Sequence, residues 1–407
     1  MRSKKLGIIA LLLVLVLSMT ACTESSGLAR AFKKQAELSH VKGQTKLSFD
    51  LSAEGLSEEN MGMFAMLEEL VNGLELTIDQ KSVRTEDSKQ VKGKLYLTMK
   101  SKGQVNKASI WVDLDARDEK NPKLREIFQL PKSLMGIMGK PDKDYLVYDM
   151  SDLGEITNQA MDKNSLNKIT EWAARSQDSY LNIFSDLYRS EDLKLDLVKN
   201  LGKQTIKGEV LDSYEVRLSD GELKQLIRYT VNRLMKNEDF NKLNQEYMDL
   251  VKELVVKAGD GEEVGQEFDK LKDSEKILAE LNRLLDRLDG LTILGKDGLV
   301  IKYGVNKDGY IVSETGSLDL LVKLDQISGL MPEEMKLKSE NMKDMKGSIG
   351  LKIKFDTSLT HINDRNLKVE LPRVNEANSI NLIEEMKKQE EKMLELQKEL
   401  EASQNLK

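Results

Sequence analysis

Alternation of apolar and polar residues with a period of two returns again and again along this chain, and it points to antiparallel β-structure as the frame. In residues 45–51, Leu47, Phe49 and Leu51 fall on one side and Lys46, Ser48 and Asp50 on the other. Successive side chains of a strand point to opposite faces, so this is the pattern of a strand with one face in a core. Residues 74–84, 91–101 and 105–115 repeat it, and the connection Ser101-Lys102-Gly103 is polar and carries a glycine, as hairpin turns do. Further strands are expected at 145–148, 204–218, 348–360 and 366–371. Asp-Gly closes both Gly295-Lys296-Asp297-Gly298 and, eleven residues on, Asn306-Lys307-Asp308-Gly309. Both are therefore expected to be hairpin turns, joining 291–294, 299–305 and 310–324 into a meander. A calcium loop would need acidic alternation and a terminal bidentate Glu, which these clusters lack.

Helical spacing separates the strand runs. A short helix is expected at 28–38, and Ser57-Glu58-Glu59 opens a Met- and Leu-rich one that runs to 71 and closes at Asn72-Gly73. Between 122 and 139 the apolar residues Ile127, Phe128, Leu130, Leu134, Met135, Ile137 and Met138 are broken by Pro131, which reads as a lid-like or short helical segment and not a strand. Residues 165–189 have helical spacing. Ser219-Asp220-Gly221-Glu222 is a capping box that opens a helix continuing through Leu254 to Gly259-Asp260-Gly261. Residues 268–288 form another amphipathic helix. At the end, Met386, Gln389, Met393, Leu396 and Leu400 make a coiled-coil-like stripe barely two heptads long, which suits packing on its own domain better than a defined dimer. The expected fold class is α+β: a strongly curved antiparallel sheet on long amphipathic helices, as two similar halves, 28–200 and 201–375, with a charged C-terminal helix over 376–407.

The N-terminus addresses location. Arg2, Lys4 and Lys5 precede an unbroken apolar stretch from Leu6 to Leu17, followed by Ser18-Met19-Thr20-Ala21-Cys22. A positive n-region and a short h-region read as a secretory signal peptide. A dozen residues at ~1.5 Å each reach roughly 18 Å, short of the roughly 30 Å hydrocarbon core, so an uncleaved spanning helix is the weaker reading. An ordinary signal-peptidase site wants small residues at −1 and −3, and cleavage after Ala21 would put Met19 at −3. Met19-Thr20-Ala21-Cys22 resembles the bacterial lipobox, in which the Cys receives a diacylglycerol and the chain is cut just before it. The resemblance implies a signal peptide at 1–21, cleavage between Ala21 and Cys22, and lipid on Cys22, with Thr23-Glu24-Ser25-Ser26-Gly27 completing a tether over 22–27. Cleavage removes three of 62 basic residues and no acidic one, leaving 59 against 69, a net charge of −10. An acidic chain gains nothing from an anionic membrane surface, so attachment falls to the acyl chains.

Candidate chemistry is sparse. The chain has one Cys and two His, His40 and His361, which excludes disulfide scaffolds and thiolate metal sites. It carries no nucleophile elbow, phosphate loop, dinucleotide fingerprint or zincin motif, so no catalytic residue, metal or cofactor is assigned. Its basic runs are interleaved with Glu and lack aromatic partners, which argues against nucleic acid. Methionine is abundant, with 18 in all and clusters at Met61, Met63, Met66 and at Met135, Met138. Thioethers suit a surface that fits variable apolar ligands, and they equally fill gaps in a core.

A lipobox followed by strand, helix and a long antiparallel meander resembles the LolA/LppX-type lipoprotein architecture, in which a curved sheet wraps around helices and leaves an apolar cavity for lipid. The passage from Tyr214-Glu215-Val216-Arg217-Leu218 to Arg228-Tyr229-Thr230-Val231 is also similar to uncharacterised lipoproteins of Gram-positive bacteria. The resemblance spans residues 28–375 and rests on element order. It implies a non-enzymatic protein on the extracytoplasmic face of the cell membrane that binds a lipid or other apolar ligand, with Met61, Phe64, Met66, Met135 and Met138 as the lining. A structural or interaction lipoprotein with a filled core is the alternative.

Overall fold

A computed structural model describes residues 27–86, 89–118, 123–149, 168, 172, 176, 179, 183, 195–257, 274–328, 346–385, 388, 392 and 393. In chain order the elements are α1 (Gly27–Gln35), β1 (His40–Glu54), α2 (Glu58–Val71), β2 (Glu75–Arg84), β3 (Gln90–Ser101), β4 (Gln104–Asp115), β5 (Lys123–Gln129), α3 (Lys132–Ile137) and β6 (Tyr145–Asp149). Then come β7 (Val198–Ile206), β8 (Glu209–Leu218), α4 (Asp220–Lys236), α5 (Glu238–Lys257), α6 (Ser274–Asp289), β9 (Leu294–Val305), β10 (Ile311–Lys323), α7 (Leu324–Ser328), β11 (Ser348–Thr360) and β12 (Ser379–Asn381). The fold is α+β. All twelve strands belong to one open sheet, in the order β12-β6-β5-β4-β3-β2-β1-β11-β10-β9-β8-β7.

Strands from both stretches of the chain thus share one continuous sheet, joined where β1 and β11 run antiparallel from Lys42 opposite Thr360 to Glu54 opposite Ser348. Every pairing is antiparallel except that of β12 with β6. One row of paired residues crosses eight strands: Val216, Ile301, Gly316, Phe355, Leu47, Leu76, Met99 and Asn106. Directly paired residues share a face, so this row fixes one apolar face of the sheet from β8 to β3. The opposite face in the middle carries Lys46, Ser48, Asp50, Lys352, Lys354 and Asp356.

Over β8–β10 three helices cover the apolar face. Leu28 and Ala31 of α1, Leu223, Leu226 and Ile227 of α4 and Leu285 of α6 close on Val216, Leu218, Leu299, Ile301 and Tyr303 in one core. The helix starts are set locally. Ser219 Oγ accepts from Glu222 N at 3.3 Å while Glu222 Oε2 accepts from Ser219 N at 2.8 Å, the expected capping box. Asp220 then ties α4 to the start of β9, accepting from the amides of Ile293 at 2.8 Å and Leu294 at 2.9 Å. Burial pushes its carboxyl up, but Lys224 and these amides outweigh it and hold it below the usual range. The expected single helix to Leu254 is two: it breaks at Asn237, whose Oδ1 caps α5 by accepting from Phe240 N at 2.8 Å.

Three expectations for the strands are corrected. Residues 123–129 form a full strand, β5, between β4 and β6. Its alternation is hidden because both faces are covered: Ile127 packs with Trp111 and Val147, and Phe128 with Met135, Leu146 and Ile380. Gly295-Lys296-Asp297-Gly298 is not a hairpin turn but a bulge within β9, whose flanks both pair with β10, Leu299 opposite Leu318 and Leu294 opposite Leu320. The bulge folds around Asp319, whose Oδ2 accepts from Asp297 N at 3.0 Å, and Gly298 takes a φ of +63° against the Leu218 carbonyl. Asn306-Lys307-Asp308-Gly309 is the hairpin turn, with Tyr310 bonded across it. Residues 366–371 join no ladder; Val369, Leu371 and Val374 instead lie over Trp111, Ile127 and Val147, and the last strand is β12.

Of the helix expected at 165–189, only Lys168, Trp172, Ser176, Ser179 and Ile183 are described; all five are helical, and Ile183 enters the α1/α4/α6 core. The Gly259-Asp260-Gly261 stop and most of the C-terminal stripe lie outside the described residues. Among the described residues no helix is long and apolar enough to cross a membrane.

Candidate functional site

The apolar face continues past the helix-covered core onto β1–β4, and there its cover thins. Leu47, Phe49, Leu76, Ile78, Leu97 and Ile110 all lie on it in register and all are only half-buried. In the row that crosses the sheet, Val216 and Ile301 are 0% exposed, whereas Met99 is 40% exposed. Soluble domains seldom leave a contiguous apolar area of this kind in water without a use for it. These strands form because their alternation needs an apolar environment on one side. The register that β1 shares with β11 then fixes that side as the one the helices cover further along.

The borders of this tract are built by specific contacts. At one side α3 lies against β5 and β6, where Met135 is fully buried with Leu146 and Ile380. At the strand ends α2 connects β1 to β2. Ser57 caps it, Phe64 is buried, and Asn72 bonds both the amide and the carbonyl of Leu51 at 2.6 and 3.0 Å, extending the β1 edge where β2 has not yet begun. Lys102 in the β3–β4 turn pairs with Glu69 at 2.5 Å, holding the far end of α2. At the other side the tract meets α1, where Phe32 packs edge-on to Tyr303 with 5.2 Å between ring centres.

The expected lining residues are thereby divided. Phe64 is buried, while Met61 and Met66 on the same helix are exposed, Met66 by 68%. Met135 is sealed in its own small core and Met138 is exposed at the end of α3. β6 stands five places from β1 in the strand order, so Met135 and Met138 sit at the β5/β6 side of the sheet and Met61 and Met66 on the helix between β1 and β2. The half-buried surface between them is made of strand residues that methionine content does not reveal. Their signal was the alternation itself. Ala21 and Cys22 lie outside the described residues.

One carboxyl stands at the boundary between the covered and half-covered parts of the face. Glu314 of β10 shares the apolar phase with Gly316, Leu318 and Leu320, and burial alone raises its carboxyl above the usual range. By contrast Glu215, on the opposite face, is held low by the Arg217 guanidinium at 2.7 Å against the upward push of burial. A concavity of about 470 Å³ lies away from this face, between β5, β6, β12 and the 374–388 stretch. Its charges compensate one another: Lys140 pairs with Glu385 at 3.2 Å, Arg125 with Asp149 at 3.5 Å, and Lys143 donates to the carbonyls of Glu376 and Ala377. The concavity is therefore a bridged seam between β6 and the chain that follows β11. Among the described residues no cluster of three or more His, Cys, Asp or Glu side chains forms a metal site. No protein-family model matches the chain, and no curated protein matches it either.

Proposed function

We propose that this protein is a non-enzymatic lipoprotein, tethered to the extracytoplasmic face of the membrane by a diacylglycerol on Cys22, that holds a lipid or another apolar ligand on the β1–β4 part of its sheet. In this reading the sheet curves around the ligand, as the LolA/LppX-type resemblance implies, and the long helices of the second half fill what the ligand fills in the first. One observation carries it: the same sheet face is fully buried over β8–β9 and half-buried over β1–β4. A ligand covering that surface gains ~25 cal/mol per Å², so an acyl chain burying on the order of 300 Å² gains ~7 kcal/mol before the cost of association.

The test is to purify the full lipid-anchored chain, extract it and quantify co-purified lipid by mass spectrometry. The expected result is near-stoichiometric lipid beyond the anchor, reduced several-fold by Leu97→Glu and Ile110→Glu. Lipid content at the level of an unrelated anchored protein would remove the ligand. For the anchor, Cys22→Ser is expected to release the chain or leave it unprocessed, and a membrane-bound variant of mature size would sink the tether. An interaction role in the envelope is the second reading, favoured by Met66, Leu67 and Leu70 of α2, each more than half exposed.

A further inference from the structure

A group of polar side chains lies on the apolar face at the boundary between its covered and half-covered parts. Register puts Glu314 of β10, Thr357 of β11 and Thr45 of β1 in a single row, with Tyr303 of β9 at one end and Ile78 of β2 at the other. On one side of this row lie Gly316, Phe355 and Leu47, and on the other Leu359 and Gly43. Gly43 is opposite Gln80, and the space a side chain would take there is used by Gln80, whose Nε2 would stand 2.7 Å from a Cβ on Gly43. A carboxyl and two hydroxyls therefore occupy successive strands of one row on the hydrophobic surface, with the Gln80 carboxamide over Gly43 in the adjoining row.

Their own bonding leaves capacity unused. The two hydroxyls bond each other at 3.0 Å, which spends one donor and one acceptor. Glu314 has no hydrogen-bond or ionic partner among the described residues, and burial alone raises its carboxyl. A carboxyl placed in an apolar phase without a partner costs stability, and nothing in the packing requires it there. From Thr45 the apolar side of β1 continues through Leu47, Phe49 and Leu51, six residues or ~20 Å, about the length of a long alkyl chain.

We propose that Glu314, Thr357, Thr45 and Gln80 receive the head group of an amphiphile whose chain lies along β1, and that this head is a cationic hydrogen-bond donor, a long-chain amine. The inference rests on the ligand-binding reading and specifies its ligand class. An ionised carboxylate only accepts hydrogen bonds, so it pairs with an ammonium and repels a fatty-acid carboxylate. The hydroxyl pair and the carboxamide supply further acceptors for the remaining ammonium protons.

The test uses the full anchored chain in phosphatidylcholine vesicles. Three photoreactive probes of equal chain length, an amine, an alcohol and a carboxylate, each with a mid-chain diazirine, are irradiated with it, and labelled peptides are quantified by mass spectrometry. The amine is expected to label β1, β2 and β11 at least tenfold more than the carboxylate. Glu314→Gln, which keeps the side chain's size and breaks no bond, is expected to lower amine labelling about tenfold, to the level of the alcohol, and Thr357→Val to lower it less. Equal labelling by amine and carboxylate, or no loss in Glu314→Gln, overturns the head-group assignment while leaving the ligand face standing. No labelling of these strands by any probe overturns the ligand reading as well.

Discussion

Val216 and Leu47 sit in the same row on the same face of the same sheet, four strands apart, yet one is sealed and the other half-open. Their local sequences are alike: each lies in a short alternating run of apolar residues between polar ones. What separates them is the chain that follows. After β8 come α4 to α6, of which Leu223, Leu226, Ile227 and Leu234 on α4 and Leu285 on α6 close the face over β8–β10. After β1 comes α2, in which Phe64 is buried while Met61, Met66, Leu67 and Leu70 are exposed, and β2–β4 then follow as a meander. The comparison teaches that one sheet design gives a sealed core or a half-buried surface according to the helices available to cover it.

The contrast makes measurable predictions. Leu226→Ala is expected to cost ~2–5 kcal/mol of stability, because a sealed core keeps the cavity, whereas Leu97→Ala on the half-covered face of ligand-free protein should cost about 1 kcal/mol. Urea denaturation of the two variants measures this, and equal losses would show that both parts of the face are packed alike. The methionines divide the same way: Met135→Ala should lose ~2–4 kcal/mol and Met66→Ala less than ~0.5 kcal/mol by the same assay. A smaller effect is expected at the helix that closes the core, where Ser219→Ala removes the capping box and costs ~1 kcal/mol, largely regained in Ser219→Asn. Wild-type stability in Ser219→Ala would mean that α4 is held by its apolar face alone.

The smallest expected effect has a sign that decides it. Burial raises the Glu314 carboxyl above its ordinary value of 4.5, so in the range just above that value the native protein holds a proton that the unfolded chain has released. The native state then binds more protons, and stability is present at low pH and lost as pH rises through the raised value. Glu314→Gln should therefore raise the melting temperature at about pH 8 and leave it nearly unchanged at about pH 4. A loss at the higher pH would show that the ionised carboxylate has a stabilising partner.

Much of the strand layout was legible because a half-buried strand writes its environment into its alternation. That covers β1 to β4, β6, β8, β10 and β11, and the Ser57 and Ser219 caps were legible for the same local reason: a hydroxyl and the backbone amides it serves are three residues apart. Where two faces are buried the code disappears, which hid β5 behind adjacent Ile127 and Phe128. The two Asp-Gly sites show another limit. Gly298 and Gly309 both have positive φ, at +63° and +81°, but one belongs to a bulge and the other to a hairpin. The deciding group for the first is Asp319, 22 residues away from Asp297 in the chain. Residue type drew attention to the methionines of α2 and α3, while the half-buried surface between those helices is Leu, Ile and Phe on strands whose exposure depends on what lies above them.

The sequence by itself determined the period of the half-buried strands, the starts of its capped helices, the scarcity of catalytic and metal-binding groups, and the polar–apolar phase that gives the sheet one hydrophobic face. Only the tertiary structure decided that β1 lies beside β11, more than 300 residues later, and so that one sheet runs through the whole fold. It also decided which part of the hydrophobic face is covered and that Glu314, Thr357 and Thr45 fall in one row on it with Gln80 in the next. The physical reason is the range of the interactions involved. Alternation and caps act between residues a few positions apart, whereas register and burial depend on surfaces that become neighbours only when the chain is folded.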